Sequence, residues 1–135
     1  ELCARIEKGC YDIAQPDATV IGGLSATLEV FAAGRKHDTE VYVHCWGGPV
    51  GMMANFHVAQ AGGGMLVEWP TLPYELRHTL VPGPWQIEAG HITLTDAPGL
   101  GIELTKEIEK AYPFREDATY NCCVDFSKLP QVSWK

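Results

Sequence analysis

The stretch that decides the fold contains three short β-rich segments: YDIAQPD (residues 11–17), VYVHCWG (residues 41–47) and MLVEW (residues 65–69). Between one segment and the next, the apolar residues recur at helical spacing. This βαβαβ order predicts parallel strands joined by right-handed helical crossovers. Three strands are too few for a self-sufficient barrel, because a TIM barrel needs eight such units over about 250 residues. The sequence therefore predicts a portion of a larger α/β fold.

Two helices are predicted between these strands. The first covers residues 24–36, with Ser25 as a possible cap and Leu24, Leu28 and Phe31 at helical spacing. The second opens with Pro49 in its first turn and ends at the glycines of residues 62–64. Its predicted apolar face consists of Val50, Met53, Ala54 and Phe56.

The remainder of the chain differs in pattern. Residues 85–94 predict a β-hairpin around Ala89-Gly90, and Thr105 is the expected N-cap of a short charged helix that stops at Pro113. We therefore divide the chain into a barrel portion, residues 1–81, and a closing segment with tail, residues 82–135.

Composition and charge exclude several classes of protein. Of 135 residues, 46% are hydrophobic and 20% charged, and the formal net charge is −7, which suits a soluble globular chain. No cluster of Lys and Arg forms the basic patch of a nucleic-acid binder. No apolar run approaches the roughly 20 residues of a membrane span. We expect a cytoplasmic protein that binds neither nucleic acid nor membrane.

The cysteines give no sign of a metal or disulfide framework. There are five, an odd number, and their spacings form neither a CxxC pair nor a Cys/His quartet. They are expected to be reduced structural thiols. Cys45 adjoins a histidine, but strand alternation predicts that its side chain points away, into the barrel wall.

Residues capable of chemistry lie at the C-terminal end of each predicted strand. Asp17 is at the end of the first strand, His44 of the second and Glu68 of the third, and the spacings of 27 and 24 positions each correspond to about one βα unit. Parallel α/β folds bring such residues to one rim, where their active sites lie. A carboxylate beside a histidine orients it as a base. From spacing alone, a purely structural His–Asp hydrogen bond is an equal alternative.

Five motifs in order resemble those of the mandelate racemase group of the enolase superfamily. They are YDIAQPD with IGGL (residues 11–17 and 21–24), VHCWG (43–47), GMMANFH (51–57), LVEW (66–69) and DAPGLGI (96–102). The first, second and fourth are similar to the sixth, seventh and eighth barrel strands. The resemblance runs from about Glu7 to Tyr112. It implies an α/β chain forming the C-terminal portion of an enolase-type TIM barrel, whose closing hairpin and short helix would pack on a capping domain.

The resemblance implies roles for individual residues. His44 would be the general base that removes the α-proton of a carboxylate substrate, and Asp17 would orient it. Glu68 would hydrogen-bond the substrate carboxylate as it becomes an enediolate. Trp46 is a candidate wall of the substrate pocket, although an aromatic residue there is equally compatible with packing alone.

The same resemblance implies a Mg²⁺ cofactor that this chain does not hold. The three metal-binding carboxylates of the group lie on strands three to five, which would precede Glu1, and so would the capping domain. We therefore expect no metal site in this chain, catalysis only together with the remainder of the same enzyme, and assembly as a homo-oligomer. Asp17, where muconate-lactonising enzymes would carry Lys, argues against that type.

The expected function is Mg²⁺-dependent abstraction of the proton α to a carboxylate, with dehydration of an acid sugar as the leading outcome. Racemisation, epimerisation and lactone cycloisomerisation of the same family are alternatives. A non-catalytic remnant or assembly subunit is a further alternative, favoured by the incomplete barrel and disfavoured by Asp17, His44 and Glu68 together. A small independent α/β binding domain is a third, for which aggregation through open strand edges would be expected instead of a stable monomer.

Overall fold

A computed structural model describes residues 1–71, 74–80 and 86–116. The elements, in chain order, are α1 (Leu2–Glu7), β1 (Ile13–Ala14), α2 (Ala18–Ile21), α3 (Leu24–Lys36), β2 (Glu40–Val41), α4 (Pro49–Gly62), α5 (Leu76–Thr79), β3 (Gln86–Glu88), β4 (His91–Thr93) and α6 (Lys106–Ala111). In the described part of the chain, no helix is both long and apolar enough to cross a membrane.

The strands of the barrel portion are parallel, as the βαβαβ order predicts. β1 pairs with β2 in the register Ile13↔Glu40 and Ala14↔Val41. The third predicted strand is reduced to a single parallel bridge, Val43↔Val67. The strands are thus much shorter than predicted, although the pairing continues past β1 through the bond from the His44 N–H to the Pro16 carbonyl, 2.9 Å. That bond brings the ends of the first two segments side by side.

A hydrophobic core fills the space between the strands and the helices α1, α3 and α4. Its largest members are Ile6, Phe31 and Val43, all at most 4% exposed. α3 and α4 pack closely because α4 ends on a glycine: a Cβ on Gly62 would lie 2.5 Å from the Phe31 ring. The core holds the two helices against the sheet, and therefore fixes the strand ends.

Two details of the predicted helices were wrong. Ser25 lies inside α3, whose N-cap is Gly23 without a side-chain cap. Leu24 and Leu28 are 42% and 39% exposed, and Val50 of α4 is 53% exposed. Phe31 of α3 and Met53 and Phe56 of α4 are buried as predicted. The other buried residues are Thr27, Val30 and Gly34 in α3, and mainly Met52, Asn55, Val58 and Ala59 in α4.

The ends of α4 and the N-cap of α6 were predicted correctly. α4 starts with Pro49 in its first turn and ends at Gly63, which has φ 79°. Thr105 caps α6, its hydroxyl accepting from the Ile108 N–H at 3.3 Å. The short helices α2 and α5 were not predicted.

The closing segment packs beside the second βα unit. β3 and β4 pair antiparallel around Ala89-Gly90, as predicted, while Trp85 lies outside the described residues. Apolar side chains of β4 and of the loop after it pack on a second buried cluster under the strand ends. This cluster consists of Cys45, Met52, Met53 and Phe56, with Ile92, Leu94, Leu100 and Ile102 against it.

Candidate active site

The chain turn after β1 presents Asp17 from a fixed position. Asp17 is the N-cap of α2, and its Oδ1 accepts from the backbone N–H of Thr19 at 2.8 Å and from the Thr19 hydroxyl at 2.7 Å. An aspartate cap satisfies helix N–H groups that would otherwise lack partners. The side chain is only 7% exposed. Asp17 is therefore a buried, anchored carboxylate.

His44 meets this carboxylate directly. Its Nδ1 lies 2.9 Å from Asp17 Oδ2. The His44 side chain is 45% exposed, so the pair is buried at the carboxylate and open at the imidazole. A carboxylate partner stabilises the tautomer in which Nδ1 carries the proton, which leaves the Nε2 lone pair free. The geometry is that of an oriented general base.

Glu68 lies on the other side of the imidazole. Its Oε2 is 4.0 Å from His44 Nε2 and accepts from the Cys45 backbone N–H at 2.8 Å. Its Oε1 accepts from Gln15 Nε2 at 3.3 Å. The side chain is 44% exposed. The three sequence-predicted residues thus converge at one rim, with Nε2 and Glu68 facing the same open space; their catalytic roles stay predictions.

The charge on Asp17 is maintained despite burial. Burial alone would raise its pKa, but hydrogen bonds from Asn55, His44 and Thr19 together outweigh that effect and bring the pKa of Asp17 below its ordinary value. Asp17 therefore stays ionised near neutral pH and can act as a permanent partner for His44.

Two residues of the site were not given roles from the sequence. Asn55 of α4 is 1% exposed; its Nδ2 donates to Asp17 Oδ1 at 2.8 Å and its Oδ1 accepts from the Ala18 N–H at 2.9 Å. The other is Gln15, which contacts Glu68. One feature of the sequence could have pointed to Asn55: it is a lone amide on an otherwise apolar helix face. A buried polar side chain normally has a hydrogen-bond partner.

The residues after His44 differ in their surroundings. Cys45 is 2% exposed, and burial raises the pKa of its thiol to about 12. The prediction that Cys45 points into the wall is confirmed, and a thiol with such a pKa is not a nucleophile near neutral pH. Trp46 is 44% exposed at the same rim, and its part in substrate binding stays a prediction.

The described residues do not fit a magnesium site. Within them, no group of three or more His, Cys, Asp or Glu side chains could hold a metal ion. Asp17 is occupied by its hydrogen bonds, which leaves Glu68 as the one accessible carboxylate beside His44 in the described part of the chain. Mg²⁺ prefers several oxygen ligands in octahedral geometry, and this arrangement does not supply them.

Comparison with known proteins agrees with this geometry. The sequence pattern of the family described as "Enolase C-terminal domain-like" matches residues 2–108. The chain belongs to this family. It is 28% identical over 107 residues to a D-galactonate dehydratase of Verminephrobacter eiseniae, a match covering 74% of this chain and 28% of that protein. It is 26% identical over 111 residues to a D-galactarolactone cycloisomerase of Agrobacterium fabrum, covering 76% and 29%.

A solved structure confirms the fold of this enolase C-terminal domain-like chain. An enolase from Pantoea ananatis, crystallised with bound D-gluconate and Mg, superposes with a TM-score of 0.69 over 82% of this chain and 27% of that one, at 20% identity. The chain spans less than a third of the length of the curated relatives named above. It is an α/β portion of an enolase-type TIM barrel.

Proposed function

We propose that the full-length protein containing these residues removes the proton α to the carboxylate of an acid sugar and dehydrates it to a 2-keto-3-deoxy acid. The observation that carries this proposal is the placement of His44, whose Nδ1 is bonded to Asp17 while Nε2 faces Glu68. Membership of the family and similarity to a D-galactonate dehydratase support the substrate class.

His44 takes the proton in this proposal. With Nδ1–H donated to Asp17, Nε2 accepts the α-proton, and the electron pair of the broken C–H bond moves into the carboxylate to form an enediolate. The imidazolium that results is stabilised by the adjacent Asp17 charge. Because the imidazole is 45% exposed, Nε2 can reach a substrate from the rim.

Glu68 serves the substrate oxygens. Its carboxyl group would hydrogen-bond the substrate carboxylate as negative charge develops there, and donors at such positions contribute about 3–4 kcal/mol in other enzymes. The Cys45 backbone N–H and the Gln15 amide hold its two oxygens at the rim. Trp46, exposed beside it, would form one wall of the pocket.

Dehydration needs a second proton transfer from the same imidazole. The proton on Nε2 passes to the β-hydroxyl as the β C–O bond breaks, water departs, and the enediolate electrons form the enol. Ketonisation of the enol gives the 2-keto-3-deoxy acid. One water leaves for each substrate, and His44 returns to its neutral form.

The proposal includes a magnesium ion, which residues outside this chain would bind. A divalent ion, when bound, supplies positive charge to the enediolate oxygens. Its ligands would come from carboxylates beyond these 135 residues, on other strands of the barrel. The Mg found with D-gluconate in the Pantoea ananatis enolase supports this assignment by fold alone.

The remainder of the same enzyme would complete the barrel against exposed apolar surface. Ile13 at β1 is 47% exposed, and Met65 and Leu66 before the third segment are 88% and 58% exposed. A groove of about 740 Å³ lies beside α1 and reaches the rim, where Asp17 and His44 are among its lining residues. Exposed apolar side chains next to a strand favour contact with further protein.

A second candidate function is cycloisomerisation of a sugar lactone. The similarity to the D-galactarolactone cycloisomerase favours it. The first step would be the same removal of an α-proton by His44. The two functions differ in the fate of the enediolate, which in a cycloisomerase expels an internal oxygen rather than water.

The test is made on the full-length protein with Mg²⁺ in D₂O. Aldonic acids, aldaric acids and their lactones are supplied, and NMR follows α-deuterium uptake and product formation. A 2-keto acid formed with loss of water supports the dehydratase, and ring rearrangement without loss of water supports the cycloisomerase. His44→Asn should abolish either.

A matched histidine variant is the control. His37→Asn changes the C-cap residue of α3. This residue lies at the end of the βα unit away from the rim, so the variant should retain activity. If a metal-loaded protein exchanges no α-proton with any acid, the enzymatic proposal fails and a binding or assembly role replaces it.

A further inference from the structure

The Asp17 carboxylate has an unequal distribution of hydrogen bonds between its oxygens. Oδ1 accepts from three donors: the Thr19 N–H at 2.8 Å, the Thr19 hydroxyl at 2.7 Å and Asn55 Nδ2 at 2.8 Å. Oδ2 accepts from His44 Nδ1 at 2.9 Å. Because three donors saturate Oδ1, the carboxylate cannot rotate without leaving donors unpaired, and Oδ2 is kept towards the imidazole.

Asn55 differs from the two Thr19 donors in its origin. Thr19 belongs to the same turn as Asp17, so its bonds are local. Asn55 comes from α4, the helix that follows the His44 strand, and its side chain is 1% exposed. It therefore links the unit that carries the base to the unit that carries its partner.

The orientation of the Asn55 amide is itself determined. Its Oδ1 accepts from the Ala18 N–H at 2.9 Å, so the amide cannot be reversed without placing an NH₂ group against that N–H. The remaining Nδ2 donor is directed at Asp17. In a buried position, loss of either bond leaves an unsatisfied polar group, which costs about 1–3 kcal/mol.

We propose that Asn55 is a positioning residue for the His44 base: by holding Asp17 Oδ1 from α4, it sets the carboxylate orientation that keeps the proton on His44 Nδ1. This inference rests on the proposed function in naming His44 as the base. Asn55 acts on His44 only through Asp17. Its contribution is therefore to kcat rather than to substrate binding.

The test compares Asn55→Leu with a matched control in the full-length protein. Asn55→Leu keeps the approximate volume and removes both hydrogen bonds. Thr27→Val is the control, since it removes another buried hydrogen bond, from the Thr27 hydroxyl to the Gly23 carbonyl at 3.0 Å, away from the His44–Asp17 pair. We expect kcat to fall about 10- to 100-fold in Asn55→Leu, by analogy with groups that orient a metal-ligating histidine, with KM little changed. Thr27→Val should keep the kcat of the unmodified protein.

A second measurement does not depend on activity. ¹⁵N NMR of the histidine side chains, with the His44 signal assigned by its absence in His44→Asn, reports which ring nitrogen carries the proton. The unmodified protein should show the Nδ1-protonated tautomer, and Asn55→Leu a mixture. If Asn55→Leu does not fold, Thr19→Val, at an exposed position, removes one of the same three donors and should shift the signal in the same direction.

The outcomes separate the two proposals. An unmodified protein that turns over no acid contradicts the proposed function, while the His44 tautomer still decides the role of Asn55. A folded Asn55→Leu protein with unchanged kcat or an unchanged His44 signal overturns the inference. So does a loss in Thr27→Val equal to that in Asn55→Leu, because the effect would then be one of general stability.

Discussion

Two carboxylates flank His44, and their surroundings differ sharply. Asp17 is 7% exposed and receives four hydrogen bonds, from Thr19, Asn55 and His44. Glu68 is 44% exposed and is held by one backbone N–H and one longer amide contact. The difference teaches that the same chemical group is a fixed charge at the first strand end and an accessible side chain at the third.

The physical cause lies in the chain after each strand. Asp17 enters a helix within one residue, so the free N–H groups of α2 and the side chain of α4 close over it. Glu68 is followed by Trp69 and Pro70 without a helix start. If the comparison holds, substitutions at the two carboxylates should have effects of different size and kind.

Asp17→Asn should produce the largest effect. Three donors require an oxygen at the Oδ1 position, so the new NH₂ group must face His44 Nδ1. Nδ1 would then accept, Nε2 would carry the proton, and the base would be blocked. We expect a loss of about 10³- to 10⁴-fold in kcat, as for the equivalent change in other Asp–His pairs. The rate of α-deuterium uptake measures it, and retention of substantial exchange would contradict a fixed Asp17.

Glu68→Gln should have a smaller effect, on the substrate oxygens rather than on the base. The amide can still donate one hydrogen bond and keep its contact with the Cys45 N–H. We expect kcat to fall about 10- to 10³-fold, up to the loss on removing one oxyanion donor. The His44 tautomer by ¹⁵N NMR should stay unchanged. A tautomer change equal to that in Asp17→Asn would show that the two carboxylates act alike.

The Asp17 charge should also make the stability of the fold depend on pH in the acid range. The pKa of Asp17 is lowered on folding, from an ordinary value of 3.8. Its contribution to the free energy of unfolding is therefore fully present above that value and is lost as pH falls through the folded pKa. The stability deficit of Asp17→Asn, measured by urea unfolding, should be constant from pH 7 down to near 3.8 and shrink at lower pH. The deficit of Thr27→Val, a neutral pair, should not depend on pH.

Cys45 should give the smallest effect. The group that holds Glu68 is the Cys45 backbone N–H, which Cys45→Ala retains. We expect near-normal kcat and a stability loss of about 1 kcal/mol from the small cavity. With the pKa of its thiol at about 12, Cys45 should also resist iodoacetamide near neutral pH, measured by peptide mass spectrometry. Inactivation through alkylation of Cys45 would contradict its place in the wall.

Much of the fold was predictable because it depends on local signals. Pro49 and Gly63 mark the ends of α4, and Thr105 caps α6, as residue type and backbone geometry require. The faces of the helices were less predictable. Leu24 and Leu28 follow helical spacing but lie outside the core, whereas Thr27 is fully buried, because helical spacing alone does not say which side of a helix meets its neighbours.

The sequence by itself determined which residues stand at the three strand ends, since chain order and βα spacing bring Asp17, His44 and Glu68 to one rim. It also determined the family, through motifs in fixed order. Only the tertiary structure decided that Asp17 is saturated at Oδ1, that Asn55 reaches it from 38 residues away, and that Glu68 is left accessible. Hydrogen bonds between distant segments depend on packing in three dimensions, which no local pattern of residues encodes.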